Sequence, residues 1–585
     1  MPEASNKMDV QLLRRVLQLA KPFKKMFALA AILATLLAPV SILRPKLVQI
    51  MVDDYISVKD LSGLLNIAMI FVGVLVLEAI LRYVFIYSTN LLGQLVIRDL
   101  RVRVFNHISK LKLTYFDRTP IGTSTTRTIN DIETINQIFS QGAITIVADV
   151  LTVFAVLAVM LITSVKLTLV CLVTMPFLLW ATYIFKEKVK TAYQKVRNKI
   201  SEMNAFLQER ITGMRIVQIF NAEQQEMSKF KKINRDYTQA NLDSIFYYAV
   251  FFAVVEIISA AALGLMIWWG ASSVLEGSVS VGALIAFPIY LSMLFRPLRM
   301  LADKFNQLQM GLVASERVFK LLDRTDFIDN KGTLSAEEIQ GNIDFKNIWF
   351  AYLEDDYVLK GLSFSIKKGE TLAIVGGTGS GKSTIINLLN RFYEINKGQI
   401  DIDGKSIKDY ELYSLRRQIA VVLQDVFLFS GTVSENINLR DDSISRAEII
   451  EAAKMIGAHE FIEKLPGGYD YEVMERGATL SMGQRQLISF VRALVFNPRI
   501  LVLDEATSSI DPETESVIQY AIEKLIAKRT SIIIAHRLST IRHANNILVL
   551  SKGKIQEFGS HEELLEIENG HYRDLYEMQF FQAAE

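Results

Sequence analysis

Cysteine is almost absent. Cys171 stands alone among 585 residues, which excludes an intramolecular disulfide framework and any CxxC metal site. Its neighbours in "LTLVCLVTM" are apolar, so it reads as a buried thiol. Histidine is scarce too, six in all, with no HExxH and no Cys/His cluster, so a structural zinc is not expected. Neither sign of charge dominates: 64 Lys and Arg against 62 Asp and Glu leave a net charge of +2. There is therefore no electrostatic case for nucleic acid as a partner. The opening "MPEASNKMDVQLLRRVLQLAKPFKK" has no apolar run and no small-residue cleavage site, so it is not expected to be a signal peptide. Val10, Leu13, Val16 and Leu17 set against Arg14 and Arg15 predict a short amphipathic helix lying along a membrane surface.

What the chain has in quantity is apolar residues, 51% of the total. Six long apolar stretches fall near 26–43, 63–89, 143–163, 167–187, 245–271 and 281–297, each close to the ~20 residues that cross a bilayer. An even number of spans puts both termini on one side. Lys and Arg cluster before the first span and after the second ("RDLRVRVF"), fourth ("KEKVKTAYQKVRNK") and sixth ("RPLRM"), whereas the loops near 52–62, 164–166 and 272–280 hold few. Both termini are thus expected in the cytoplasm. Beyond the fourth span, Val189, Tyr193, Val196, Ile200, Met203 and Leu207 recur on one helical face, and Met227, Phe230, Ile233 and Tyr237 repeat it on the way back. These arms are expected to reach about 30–45 Å past the lipid at ~1.5 Å per residue. They end in polar turns at 114–125 and 209–215.

From about residue 326 short β-rich runs alternate with helical patterns, so residues 1–325 are expected to form a membrane domain and 326–585 an α/β domain. Residues 322–342 are polar and read as a linker. In "TLAIVGGTGSGKSTIINLLNRF" a strand leads into G-x-x-x-x-G-K-S and then a helix, the context in which this pattern binds phosphate. Gly376, Gly377, Thr378, Gly379, Ser380, Gly381 and Thr384 are expected to supply the main-chain cradle, Lys382 to neutralise the β- and γ-phosphates and Ser383 to hold Mg²⁺. In "NPRILVLDEATSSID" a strand ends in two carboxylates: Asp504 suits Mg²⁺ and Glu505 suits the base that aims water at the γ-phosphate. His536 ends the strand of "TSIIIAHRLST" and is expected on the γ-phosphate. Gln424, after "IAVVL", is placed near Mg²⁺ or the attacking water.

These motifs, in this order behind six spans, resemble an exporter-type half-transporter of the ATP-binding cassette (ABC) family. The resemblance implies six transmembrane helices with long cytoplasmic extensions, fused to a P-loop NTPase domain of ABC type in the inner or plasma membrane. ATP and Mg²⁺ are the implied cofactors. "LSMGQ" stands where the family has Leu-Ser-Gly-Gly-Gln, so Ser481, Gly483 and Gln484 are expected to close on ATP held by a partner subunit. Tyr352 matches the aromatic that stacks on adenine, and Asp511 the aspartate that touches the opposite subunit. The turns "TYFDRTPIGTSTTRTINDIE" and "ERITGMRIVQIF" match the two that couple spans to nucleotide domains. Two departures stand out: Met482 for the first signature glycine, and Met474 where glycine is usual. They leave a heterodimer open beside the favoured homodimer.

The expected activity is ATP-driven export or flipping of an amphipathic molecule: a lipid, a lipid-linked molecule or a hydrophobic drug. A nucleotide-gated channel or a regulatory ABC protein on the same scaffold is the alternative. Within the spans, Glu78 and Arg82 are spaced to pair, whereas Asp149 and Glu256 have no obvious partner in sequence. The aromatics Tyr247, Tyr248, Phe251, Phe252, Trp268, Trp269, Phe287 and Tyr290 fit either a ligand or helix packing.

Overall fold

A computed structural model describes residues 10–504, 512–535 and 541–584. Contacts divide the chain into two compact units, Met1–Ser109 with Thr119–Arg324, and Lys110–Arg118 with Thr325–Glu585.

The first unit is all helix. Its elements are α1 (Val10–Gln18), α2 (Lys24–Ile50) and α3 (Leu61–Ile108), while the six-residue α4 (Leu113–Arg118) belongs to the second unit. There follow α5 (Ile121–Thr126), α6 (Ile132–Gln137), α7 (Ala143–Thr163), α8 (Val165–Leu172), α9 (Met175–Thr212), α10 (Met214–Ile219), α11 (Glu223–Leu275) and α12 (Val281–Leu322). Among the described residues five helical stretches are long and apolar enough to cross a bilayer: Lys21–Ile56, Leu61–Ile108, Ile121–Thr163, Val165–Thr212 and Glu223–Leu275. The sixth expected span is the shorter apolar run Val281–Pro297, the front of α12. The fourth span is not one continuous helix. It breaks at Val173–Thr174 because Pro176, in the first turn of α9, has no N–H to continue the ladder from α8.

Side chains within the spans resolve several open readings. Arg82 Nη2 donates to Glu78 Oε1 at 2.8 Å, one turn apart on α3. Asp149 on α7 is paired with Lys304 on α12, a contact between segments 155 residues apart that no local pattern could reveal. Phe251, Phe287 and Tyr290 are buried in the helical core, with Phe185 stacked on Phe251 at 3.8 Å between ring centroids, so for these three the packing reading holds. The paired arms are α9 and the first half of α11, closed by Phe206 on Phe230 and by Lys199–Asp236 and Arg210–Glu226 bridges of 3.2 and 2.6 Å.

Helix α1 forms where the apolar periodicity puts it, with Val10 exposed and Leu13 and Leu17 half-buried. Val16 is fully buried, and Arg15 grips Asp323 at the end of α12.

The second unit is α/β. Its strands are β1 (Ile343–Ala351), β2 (Tyr357–Ile366), β3 (Thr371–Val375), β4 (Lys397–Ile402), β5 (Lys405–Ser406), β6 (Ile419–Val422), β7 (Gly431–Thr432), β8 (Glu472–Val473), β9 (Ile500–Asp504), β10 (Thr530–Ile534), β11 (Asn546–Ser551) and β12 (Lys554–Gly559). Its helices include α13 (Lys382–Leu389), α14 (Leu412–Arg417), α15 (Val433–Asn438), α16 (Arg446–Met455), α17 (His459–Glu463), α18 (Met482–Val495) and α19 (Pro512–Ile526). The main sheet runs β12-β11-β3-β10-β9-β6, with parallel pairing from β11 to β6 and an antiparallel β12 at one edge. β3 is buried throughout its five residues and β9 over its first four, as strands covered on both faces must be.

The expected linker is not a free tether. Ala336 is fully buried, and the main-chain amides of Gln340, Gly341 and Asn342 all donate to the Asp403 carboxylate. Buried Arg391 donates to the Asp329 carbonyl at 2.6 Å. A polar segment looked like a connector because its partners lie 60 to 80 residues away in the chain.

Candidate nucleotide site

In an open parallel sheet ligands gather at the carboxyl ends of the strands, and four strand ends meet this expectation. β3 ends at Val375 and opens directly into residues 376–381. β10 pairs Ile534 with Ile374 of β3 on one side and with Asp504 of β9 on the other, so Asp504 sits at the same sheet edge two strands away. β6 ends at Val422, two residues before Gln424. His536 follows the end of β10, but it lies outside the described residues, as do Glu505 and Asp511.

The loop after β3 is shaped by left-handed glycines. Gly379 has φ +78° and Gly381 φ +108°, conformations that side chains avoid. Gly381 caps α13 without any side-chain bond, so the first amides of that helix are available to an anion. Gly377, Thr378 and Gly379 are exposed, while Ser380, Lys382 and Thr384 are buried. The Ser380 hydroxyl is buried with no hydrogen-bond partner, and such an orphan calls for an explanation. Lys382 Nζ donates to the carbonyls of Gly376 and Gly377 at 2.7 and 3.1 Å. Burial lowers its proton affinity and the charge of Asp504 acts in the opposite sense. An orphaned hydroxyl, a buried ammonium and an uncapped helix start fit an anionic oligophosphate. Ser383 is the exposed residue of that first turn, and a hydroxyl there with the Asp504 carboxylate is a hard-oxygen donor set of the kind Mg²⁺ prefers.

Gly376 is the tightest point. Its φ is +152°, and a Cβ there would stand 2.1 Å from the Leu550 carbonyl and 3.0 Å from Ser380 Oγ. A carbonyl within β11 has nowhere to move. Gly376→Ala is expected to cost about 1–3 kcal/mol from backbone strain alone and to lower both the melting temperature and ATP affinity, measured by thermal unfolding with and without nucleotide.

Tyr352 is fixed by its hydroxyl, which donates to Thr384 Oγ1 and accepts from Asn387 Nδ2, both at 3.2 Å. Thr384 Oγ1 accepts in this contact and keeps its own proton to give. The edge of the Tyr352 ring meets Tyr393 at 5.0 Å between centroids. The sequence reading missed Tyr393. Its hydroxyl donates to Asp117 on α4, and Arg118 donates to the Tyr352 carbonyl at 3.2 Å. Burial, then the bond to Asp117, push the Tyr393 phenol well above its ordinary range. The turn "TYFDRT" is thus built into the rim around Tyr352, further secured by Lys112 N to the Asp326 carbonyl at 2.9 Å and a Leu111–Phe327 bridge. A cue existed in the sequence, the aromatic in "NRFYEINKG", but nothing local ties it to position 117.

Ser481 caps α18 in a reciprocal box: its Oγ accepts from Gln484 N at 3.2 Å, and Gln484 Oε1 accepts from Ser481 N at 3.0 Å. A hydroxyl that accepts still has its proton to give, and Ser481 is exposed. Met482 is the first helical residue, exposed and without a left-handed φ, so the box tolerates a side chain there. Met474 likewise has an extended backbone, φ −73° and ψ 169°. The glycine this segment needs is Gly477, at φ +71°, where a Cβ would meet Arg485 Cδ at 2.6 Å. Gly483 is buried in the first turn of α18. Gln424 is exposed and lines a cavity of about 230 Å³ with Asp425, Val426, Arg476, Met482 and Arg485. The same cavity borders Met482 at the start of α18.

Comparison with known proteins fits this geometry. Residues 27–298 match the family model described as ABC transporter transmembrane region, and residues 359–508 the one described as ABC transporter. The chain is 39% identical over 574 residues to the uncharacterized ABC transporter ATP-binding protein YknV of Bacillus subtilis (strain 168), covering 98% of this chain and 95% of that one. It is 40% identical to the probable multidrug resistance ABC transporter ATP-binding/permease protein YheH of the same organism, over 89% of this chain and 77% of that one. It is 35% identical to the ATP-dependent lipid A-core flippase of Syntrophus aciditrophicus (strain SB), over 99% and 96%.

Proposed function

This chain belongs to the ABC transporter family, and on that premise we propose that two copies form an exporter or flippase for an amphipathic molecule. It is a multi-pass membrane protein that couples ATP hydrolysis to transport. The cargo is a lipid, a lipid-linked molecule or a hydrophobic drug, carried outward from the side that bears both termini and the nucleotide units, the cytoplasm. Relatives named for multidrug resistance and for flipping a lipid support that class.

The observation that carries the proposal is the division of labour within one nucleotide unit. The cradle at 376–383 has an unmet hydroxyl and a buried ammonium, whereas Ser481 satisfies its own helix and keeps an exposed O–H in reserve. Two such units, each offering its serine turn to the other's cradle, complete both sites. Tyr352 supports adenine, Lys382 and the amides of 376–381 hold the phosphates, and Glu505 aims water while His536 contacts the γ-phosphate. Asp511 meets the opposing subunit. Ser383, Asp504 and Gln424 would hold Mg²⁺, which would supply neutralisation of phosphate charge. Because the cap around Met482 is intact and Met474 needs no glycine, a homodimer is the favoured assembly. The exposed apolar tip of α10, with Ile216, Ile219 and Phe220, suits a surface that a second copy covers.

Complementation tests the composite site. Lys382→Ala and Ser481→Ala subunits are each expected to be nearly inactive alone. Reconstituted together in equal amounts, the mixed dimers hold one intact site each and should restore roughly a quarter of wild-type ATPase, since a two-fold interface uses the same surfaces twice. No recovery on mixing, with dimers present, would sink the shared site.

A further inference from the structure

Helix α1 and the start of α2 present a surface that ATP chemistry does not use. Arg14, Lys21, Lys24 and Lys25 are all exposed, and among the described residues none of them has a carboxylate partner. No Asp or Glu occurs from residue 10 to residue 52. The same face of α2 continues below Lys25 as exposed Leu29, Ile32 and Leu36, spaced four, seven and eleven residues on. A cationic crest on an apolar stripe at the start of a span is what a headgroup layer above acyl chains complements, and a soluble polyanion would leave that stripe uncovered.

The one basic residue of α1 that is paired points elsewhere. Arg15 donates through both Nη atoms to the Asp323 carboxylate, at 2.7 and 2.5 Å, and its guanidinium lies 4.1 Å from the Phe319 ring centre. Val16 and Ala20 are buried beside it. Asp323 closes α12, the helix whose chain runs on into the nucleotide unit at residue 325.

We propose that α1 and the lysines at 21, 24 and 25 form a docking surface for anionic lipid headgroups, and that Arg15 passes this contact to the end of α12. The strap makes the last helix of the membrane unit sensitive to the charge of the leaflet it enters. Each lysine near an anionic surface strengthens association about fivefold, so the three together dominate the effect.

The test uses the full chain in nanodiscs of phosphatidylcholine, with or without phosphatidylglycerol, read by hydrogen exchange and by ATP turnover. Phosphatidylglycerol is expected to slow exchange severalfold at residues 10–25 and also at 315–323, and added salt to reverse both. The variant with Lys21, Lys24 and Lys25 changed to Gln should lose both responses while its turnover in phosphatidylcholine stays within about twofold of wild type. Arg15→Gln should keep the response at 10–25 and lose the one at 315–323. Exchange indifferent to phosphatidylglycerol in the wild type, or a triple variant that responds as the wild type does, overturns the headgroup surface. A response at 315–323 that survives in Arg15→Gln overturns the strap.

Discussion

Replacing Lys382 with alanine is expected to reduce ATP turnover by about 10²–10³-fold, the scale set by removing one preorganised charged donor from a phosphate site. The geometry makes this side chain hard to substitute. It is buried, and its ammonium is held by the carbonyls of Gly376 and Gly377. Its desolvation is therefore already met in the folded chain, and phosphate oxygens take the place of main-chain carbonyls at little reorganisation cost. Alanine removes the cation and strips both carbonyls of their donor. Binding of a fluorescent ATP analogue should weaken with turnover, while thermal unfolding of the variant reports that the unit still folds. Hydrolysis within tenfold of wild type would mean that the cradle is wrongly assigned.

Glu505→Gln should separate binding from chemistry. Glutamine keeps the shape but cannot take a proton, and loss of a positioned base typically costs about 10²–10⁴-fold. ATP affinity should persist, because Lys382, the amides around 376–381 and Asp504 are untouched. Asp504 ends β9 in register with Ile534 of β10, which in turn pairs with Ile374 just before the cradle. Single-turnover measurements with radiolabelled ATP give both quantities in one experiment. Undiminished hydrolysis in this variant would refute Glu505 as the base.

Much of this protein was legible in the sequence because its decisive patterns are local. A span is a run of apolar residues, and "GGTGSGKST" is a contiguous segment whose glycines announce their own backbone. Both survive without knowledge of what lies opposite, and together they carry the fold class and the family. The capping box at Ser481–Gln484 is equally local, a serine with a glutamine three residues later.

Other features required the chain to meet itself. Asp149 finds Lys304, Tyr393 finds Asp117 and Arg15 finds Asp323, pairs separated by 155, 276 and 308 residues. Polarity marked 322–342 as a connector, and only the Asp403 carboxylate and buried Arg391 show why those polar groups are packed. The same limit applied to Met482: a departure from the signature in sequence, it proves to be the exposed first residue of α18, with no left-handed φ. Short-range order is written in neighbouring residues, because backbone dihedrals and apolar periodicity are set within a few positions. A charged or phenolic group's partner depends on which distant elements pack together, and that was decided when each unit closed around its own core.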